Sequence, residues 1–467
     1  MGGLRRQIFA AFSGSFCIIS SGMAYGWVSP VLSQLADTNG EVRATEDQIS
    51  WIAADIEIGC LLTPFLGSFL VDRHGRKLPL LCTVPIFMIS WILTLTTRSV
   101  QTLYIKRILD GMGIGLTSTI VPIYLAEIAE AYIRGSMLLS VTVTWYSGIL
   151  IQFCIGTYLS YEVSAWLNLV IPILYLILFS CLPESPYYFM MTNQEDKAAA
   201  SLAWFRDVQP NQVSEELKYI KDYLEADAKN KESWKAVVKN CMYRKCLIIM
   251  MVVILATIMT GLTTIFSYAS EMFADIDSEG ILNSDTCSVA IAALFCVVSI
   301  VVCFLIDKVG RRPLVIISAF GCFLSNLSSA VFSYYQNEIK YKWIPFITIG
   351  SYCIFVSLGL VPVMLAFQGE LFPSSIKSFA SGMVVVITTF VSLVALKLYY
   401  IIGSSLGVYV NYLIYAAVAG ASTVWLIFYV PETKNKTFSE LLKELGGPYV
   451  EEKVLQSEEM QALNKWK

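Results

Sequence analysis

The feature that most limits what this 467-residue chain can become is the recurrence of long uncharged apolar stretches. They cover 78–97, 135–161, 163–183, 246–270, 286–306, 313–337 and 343–369, and 378–431 is broken only by Lys397 and a Gly403–Gly407 turn. A lipid core about 30 Å thick takes about 20 residues of helix, so each stretch is long enough to cross, and 378–431 is long enough to cross twice. Two further stretches carry charge: 48–71, with Asp55 and Glu57, and 102–126, with Lys106, Arg107 and Asp110. With the uncharged run from Gln7 to Ala36 they make twelve spans. That first run is too long for a cleaved signal core and reads as a retained anchor.

Composition agrees. The chain is 56% hydrophobic and 15% charged, with a mean hydropathy of +0.63. A water-soluble protein of this length needs more polar surface than that, so lipid is the expected partner of its outer face. A net charge of −3 gives no reason to expect nucleic acid. The twelve cysteines show no pairing pattern and read as buried small hydrophobes. The one histidine, His74, lies in a loop, so no metal site, cofactor or catalytic dyad is expected; nor is there a nucleotide loop or a nucleophile–base set, and the chain does not read as an enzyme.

Lysine and arginine placement sets the expected orientation. With both termini in the cytoplasm, the outer side holds only Arg43, Arg98, Lys106, Arg107, Lys340, Lys342 and Lys397 of the 33 basic residues. The expected organisation is a six-helix bundle over 1–183, cytoplasmic linker helices over 184–245, a second bundle over 246–430, and a cytoplasmic tail over 431–467. In the linker, Lys218/Asp222 and Glu225/Lys229 have the spacing of helix-surface pairs.

The halves share a charged repeat. VDRHGRK (71–77) returns as IDKVGRR (306–312), AEIAEAYIRG (126–135) as GELFPSSIKS (369–378), and LPES (182–185) as VPET (430–433). The order is kept, the spacing is nearly constant, and all six fall on the expected cytoplasmic side. Positive-inside bias alone accounts for the basic residues. It does not require the acids that recur with them, and a carboxylate beside a guanidinium can hold neighbouring helix ends together. Asp72, Arg76, Glu127, Arg134 and Glu184, with Asp307, Arg311, Glu370, Lys377 and Glu432, are therefore expected to form ion pairs that clasp the cytoplasmic ends while the cavity opens outward.

These motifs resemble those of the sugar porter family of the major facilitator superfamily. DRHGRK and DKVGRR resemble its loops after spans 2 and 8, RILDGMGIG (107–115) its span 4, and PIYLAEIAEAYIRG (122–135) its span 4–5 junction. PESPYY (183–188) and PETKNKTFSEL (431–441) resemble its signatures after spans 6 and 12. SWIA (50–53), PESPYY and WFRD (204–207) are most similar to insect facilitated trehalose and hexose transporter-like members. The resemblance implies an all-α membrane fold of twelve helices in two pseudo-symmetric bundles, alternating access between them, and facilitative movement of a sugar or polyol.

The departures concern the cavity. Ser68 and Cys303 stand where the family loop motif has glycine. Span 7 reads TIMTGLT (257–263), so Thr257, Ile258 and Thr263 stand where the family has sugar-binding amides; Thr142, Phe295 and Leu365 replace other family polar or aromatic positions. In their place span 7 offers Thr257, Thr260, Thr264 and Ser267 on one helical face, with Thr263 and Tyr268 beside it. Span 11 adds Thr388, Thr389 and Ser392, and span 5 adds Thr142, Tyr146 and Gln152. Any one such threonine can instead bond its own i−4 carbonyl. As a group they are the expected cavity lining.

Glu57 lies in the outer half of span 2, where charge is costly and usually functional. It could bind a cation, carry a proton or orient a hydroxylated solute, whereas Asp55 fits the headgroup level equally well. The proton-linked members' span 1 acid corresponds to a place near Gly26, which favours uniport. Two other functions stay open: a sugar receptor without transport, and a carrier of a less hydroxylated or cationic solute.

Overall fold

The computed structural model describes residues 2–31, 44–96, 99–230, 241–273, 284–336, 338, 343–372, 374–434, 436 and 441, with a few side chains, those of Asp307 and Lys377 among them, outside the described set. No strand occurs among the described residues. The twelve long segments are α1 (Gly3–Val31), α2 (Glu46–His74), α3 (Lys77–Thr96), α4 (Val100–Ile128), α5 (Ala131–Tyr158), α6 (Tyr161–Ser180), α7 (Cys241–Met272), α8 (Ser284–Val309), α9 (Arg311–Tyr334), α10 (Ile344–Glu370), α11 (Ser374–Leu406) and α12 (Val408–Tyr429). In lipid a backbone amide finds a partner only within its own helix, so each apolar run closes as one helix. Eleven of the twelve are long and apolar enough to cross a membrane among the described residues; α2, the acid-bearing one, falls outside that set. Large apolar side chains cover the outside, such as Phe304 at 72% and Phe428 at 74% exposed, as a lipid-facing surface requires.

Local chemistry fixes the ends. Thr45 caps α2: its hydroxyl accepts the Gln48 N–H while the Gln48 side chain accepts the Thr45 N–H, with Glu46 and Asp47 in the first turn. Two helices break inside the protein. α7 is interrupted at Gly261, whose φ is +108°, and α10 widens to a π-turn over Val356–Leu360, a feature often found at functional sites.

Within the first half, small residues bring backbones together. A Cβ on Gly59 of α2 would lie 2.1 Å from the Ile108 carbonyl oxygen of α4, and one on Gly111 of α4 only 2.0 Å from that of Ile56. Between halves, α2 packs on α11 and α5 on α8, with a smaller contact of α1 on α7.

Between α6 and α7 lie short helices over Pro186–Met191, Glu195–Arg206 and Ser214–Asn230. Arg206 ties them to the first half, reaching Glu216 at 2.6 Å and the Ile128 carbonyl at 2.8 Å, while Arg6 pairs with Asp207 at 2.5 Å. The expected Lys218/Asp222 pair makes no ion pair among the described residues; Lys221 pairs with Glu195 instead, at 2.7 Å. Lys229 lies outside the described side chains. Cys82, Cys181 and Cys241 are exposed rather than buried, and none of the twelve cysteines is in a disulfide.

Candidate transport site and the charged clusters

At the end of the molecule where α1 begins and α12 ends, here the terminus side, two charged clusters are built on the same plan. In the first half, Arg76 opens α3 and reaches Glu127 Oε1 on α4 through Nη2 at 2.7 Å and Nε at 3.1 Å. The other oxygen of Glu127 accepts from the Ser185 hydroxyl, and the Glu184 carboxylate caps α3 by accepting the N–H groups of Arg76 (3.0 Å) and Lys77 (2.9 Å). In the second half, Arg311 reaches Glu370 at 3.0 Å, Glu370 accepts from Thr433 at 2.6 Å, and Glu432 accepts the N–H groups of Arg311 (3.0 Å) and Arg312 (3.1 Å). Burial pushes the Glu432 carboxyl up, but hydrogen bonds from the N–H groups of Lys434, Arg311, Arg312 and Thr433 outweigh it and hold the carboxyl below its usual range.

The repeat's glycines make both caps possible. Gly75 and Gly310 have φ of +86° and +101°, and a Cβ there would lie 2.3 Å from Glu184 Oε2 and 2.7 Å from Glu432 Oε2. Each needs both the left-handed backbone and the empty space.

Two expectations for these clusters change. Both ion pairs close within one half, so in this structure they brace each bundle rather than bind one to the other. Asp72 and Arg134 are exposed and join no ion pair among the described residues; Asp307 and Lys377 lie outside the described side chains. The hydroxyls of Ser185 and Thr433 were not anticipated as members, although PES and PET stood in the repeat.

At the opposite end, here the far side, the halves touch. Ser29 of α1 meets Ser270 of α7, hydroxyl to hydroxyl at 3.3 Å, and accepts its N–H at 3.2 Å. Lys397 of α11 lies 3.3 Å from Asp47 and over the Trp51 ring of α2. Deeper, Glu57 of α2 accepts from Tyr25 of α1 at 3.1 Å and from Ser392 of α11 at 2.7 Å. Asp55 and Glu57 are both buried at 5% exposure.

The centre is aromatic. Tyr146 of α5 stacks on Phe295 of α8 with centroids 5.3 Å apart, Phe266 of α7 lies 4.7 Å from Phe295, and Tyr25 lies 6.2 Å from Phe266 and 5.7 Å from Trp145. Rings from both halves thus meet, stacked at Tyr146–Phe295 and edge-on at Tyr25–Phe266.

The span 7 hydroxyls turn the other way, which corrects the expected lining. Thr257 donates to the Val253 carbonyl at 2.7 Å; Thr260 donates to Ala256 at 2.9 Å and meets the Tyr352 hydroxyl of α10 at 3.1 Å; Thr264 meets Tyr415 of α12 at 3.0 Å. The stripe packs inside the second half. Thr263 differs, since its buried hydroxyl has no partner among the described residues, and it shares a face with Phe266 and Ser270, which meet α1. Ser267 is buried. Thr388 and Thr389 bond their own helix at 2.8 Å, Gln152 is buried against Ser164 of α6 at 3.5 Å, and Thr142 is half-buried.

Lys106 and Arg107, counted above among the outer charges, are buried inside the first half. Lys106 pairs with Asp110 at 2.6 Å between the rings of Trp27 (3.6 Å) and Trp91 (4.4 Å). Arg107 holds the carbonyls of Ile52 and Ala24, both at 2.9 Å, tying α1 and α2 to α4. Asn326 is buried and donates to the Thr260 carbonyl at 3.2 Å. No group of His, Cys, Asp and Glu suited to a metal occurs among the described residues.

Twelve helices in two related halves, joined on one side and separately braced on the other, define a transporter architecture. The chain belongs to the sugar (and other) transporter family, whose profile matches residues 7–445. It is 27% identical over 450 residues to the facilitated trehalose transporter Tret1 of Culex quinquefasciatus, covering 94% of this chain and 86% of that protein. Against Tret1 of Aedes aegypti it is 26% identical over 94% of its own length and spans about half, 55%, of that relative. Among solved structures it matches the major facilitator proton:xylose symporter XylE bound to 6-bromo-6-deoxy-D-glucose, with a TM-score of 0.77, 20% identity, and coverage of 95% and 99% of the two chains. An inward open conformation of XylE from E. coli matches with a TM-score of 0.76 at 20% identity over 93% and 98%. The fold is therefore that of the major facilitator superfamily.

Proposed function

We propose that this protein is a facilitative carrier of a sugar, a hexose or trehalose, or of a related polyol, working by alternating access. Its bundles are 1–183 and 246–430, its linker 184–245 and its tail 431–467, with the terminus side in the cytoplasm and the protein in the cell membrane. The observation that carries this reading is the pair of matching Arg–Glu–hydroxyl clusters. Each half is a braced body on the terminus side, and among the described residues the far-side polar contacts between the halves include Ser29 with Ser270, Lys397 with the exposed Asp47, and Ser392 with Glu57. Rocking then breaks hydrogen bonds, one of them to the buried Glu57, and one ion pair whose Asp47 is open to solvent, while the buried ion pairs of each half stay intact. The relatives named as trehalose facilitators support the solute class.

The central rings favour one alternative within the carrier reading. With Phe295, Phe266 and Tyr146 at the middle and the span 7 hydroxyls turned away, the centre offers apolar faces and few donors. A less hydroxylated solute would fit that surface. The test is counterflow of labelled glucose, trehalose and polyols in proteoliposomes, with and without a pH gradient. Uptake of at least one, indifferent to the gradient, is expected; no uptake of any defeats the sugar reading.

A further inference from the structure

The geometry points to Glu57 as a solute-binding residue, the acceptor for a solute hydroxyl when the far side opens, with Ser392 holding that place while it is closed. This rests on the sugar reading above.

Glu57 is a buried acid that both halves touch. One carboxylate oxygen accepts from Tyr25 of its own half and from Ser392 of the other. It forms no ion pair among the described residues, and the nearby Arg107 is occupied by the carbonyls of Ile52 and Ala24 and by Asp110 at 3.8 Å. A buried carboxylate without a cation depends on hydroxyl and amide donors for its stability. Parting α2 from α11 removes Ser392 and leaves Tyr25, so the carboxylate gains one open acceptor position facing the gap. A polyhydroxylated solute brings the donor that position needs.

The surroundings suit the same class of solute. Tyr25, which shares the hydrogen bond with Glu57, packs on Phe266 and Trp145, and Phe266 continues to Phe295 and Tyr146. Aromatic faces with a few fixed polar groups are the usual lining of a small-molecule site. Here the carboxylate takes a hydroxyl and the rings cover the C–H face. A neutral polyol or an amino sugar is accepted, and a sugar acid is rejected by like charge.

The experiment is counterflow of labelled glucose with the full-length protein, competed by a series of monodeoxyglucoses and by glucuronate, in wild type, Glu57→Gln and Ser392→Ala. In wild type, removing one particular hydroxyl is expected to weaken binding by about tenfold, and in Glu57→Gln that penalty shrinks to about twofold, because a charge-assisted bond has become a neutral one. Ser392→Ala removes the competing hydroxyl and is expected to lower KM for glucose. If every deoxy penalty persists in Glu57→Gln, the assignment is overturned while the sugar reading stands. If wild type moves no sugar, both fall. Should Glu57→Gln fail to fold, Ser392→Ala decides alone: a lower KM supports the assignment, an unchanged or higher one overturns it.

Discussion

Arg76 and Arg311 occupy equivalent places and each pairs with the glutamate of its own half, but Arg76 does so through two N–H groups and Arg311 through one, and their settings differ. The Glu127 side chain is 13% exposed and that of Glu370 is 33% exposed. Breaking a mostly buried pair leaves a charge stranded and costs roughly 3 kcal/mol, whereas a pair open to solvent contributes about 1 kcal/mol or less. Glu127→Gln should therefore lower the melting temperature of the purified protein distinctly more than Glu370→Gln. Equal shifts would contradict the difference in burial. Glu432 adds a pH dependence. Its carboxyl is held below its unfolded value, so its contribution is present above a pH of about 4.5 and is lost as pH falls through the lower folded value. The stability gap between wild type and Glu432→Gln should be full at neutral pH and close under acid. Arg76, Glu127, Glu184, Arg311, Glu370 and Glu432 were legible because a duplicated motif exposes its own members, whereas Asp72 and Arg134 stand in the same motifs and join no ion pair among the described residues. Ser185 and Thr433 escaped notice because a hydroxyl carries no charge to count, although both occupied the same place in the repeat.

At the scale of the helix, periodicity states which residues share a face but not which neighbour that face meets. Thr257, Thr260 and Thr264 do lie together, as the 3, 4 spacing requires. Their partners Tyr352 and Tyr415 come from α10 and α12, and nothing local in span 7 announces them. The break at Gly261 also rotates the second part of α7 relative to the first, so a stripe drawn through 257–267 crosses a change of phase. The aromatic centre was missed for a related reason. Phe295 was read as a lost asparagine, and only the fold brings it onto Tyr146 and Phe266. The crossing of α2 and α4 makes the next prediction. With backbone oxygens about where a methyl group would go at Gly59 and Gly111, Gly111→Ala should force the helices apart and destabilise the first half. A cost of about 1–3 kcal/mol is expected from overpacking, measurable as a lower melting temperature; an unchanged value would show that the crossing is looser than described.

For the whole molecule, the number of spans and their pairing into halves followed from hydrophobic length and the repeat. Those are the terms lipid imposes on any chain, so they survive without tertiary information. Which ends of the halves meet did not follow, because the far-side contacts are hydroxyls, two carboxylates and one lysine scattered over α1, α2, α7 and α11. In the structure Ser29 and Ser270 hold the far side closed at 3.3 Å, close enough for cysteines placed there to form a disulfide. If the halves rock, that contact must open in every cycle. The direct measurement is counterflow of labelled glucose and trehalose by the double variant Ser29→Cys, Ser270→Cys in proteoliposomes, reduced and then oxidised, with oxidised wild type as the control. The account predicts transport when reduced, none when oxidised, and recovery on reduction. Undiminished transport with the disulfide formed would contradict it.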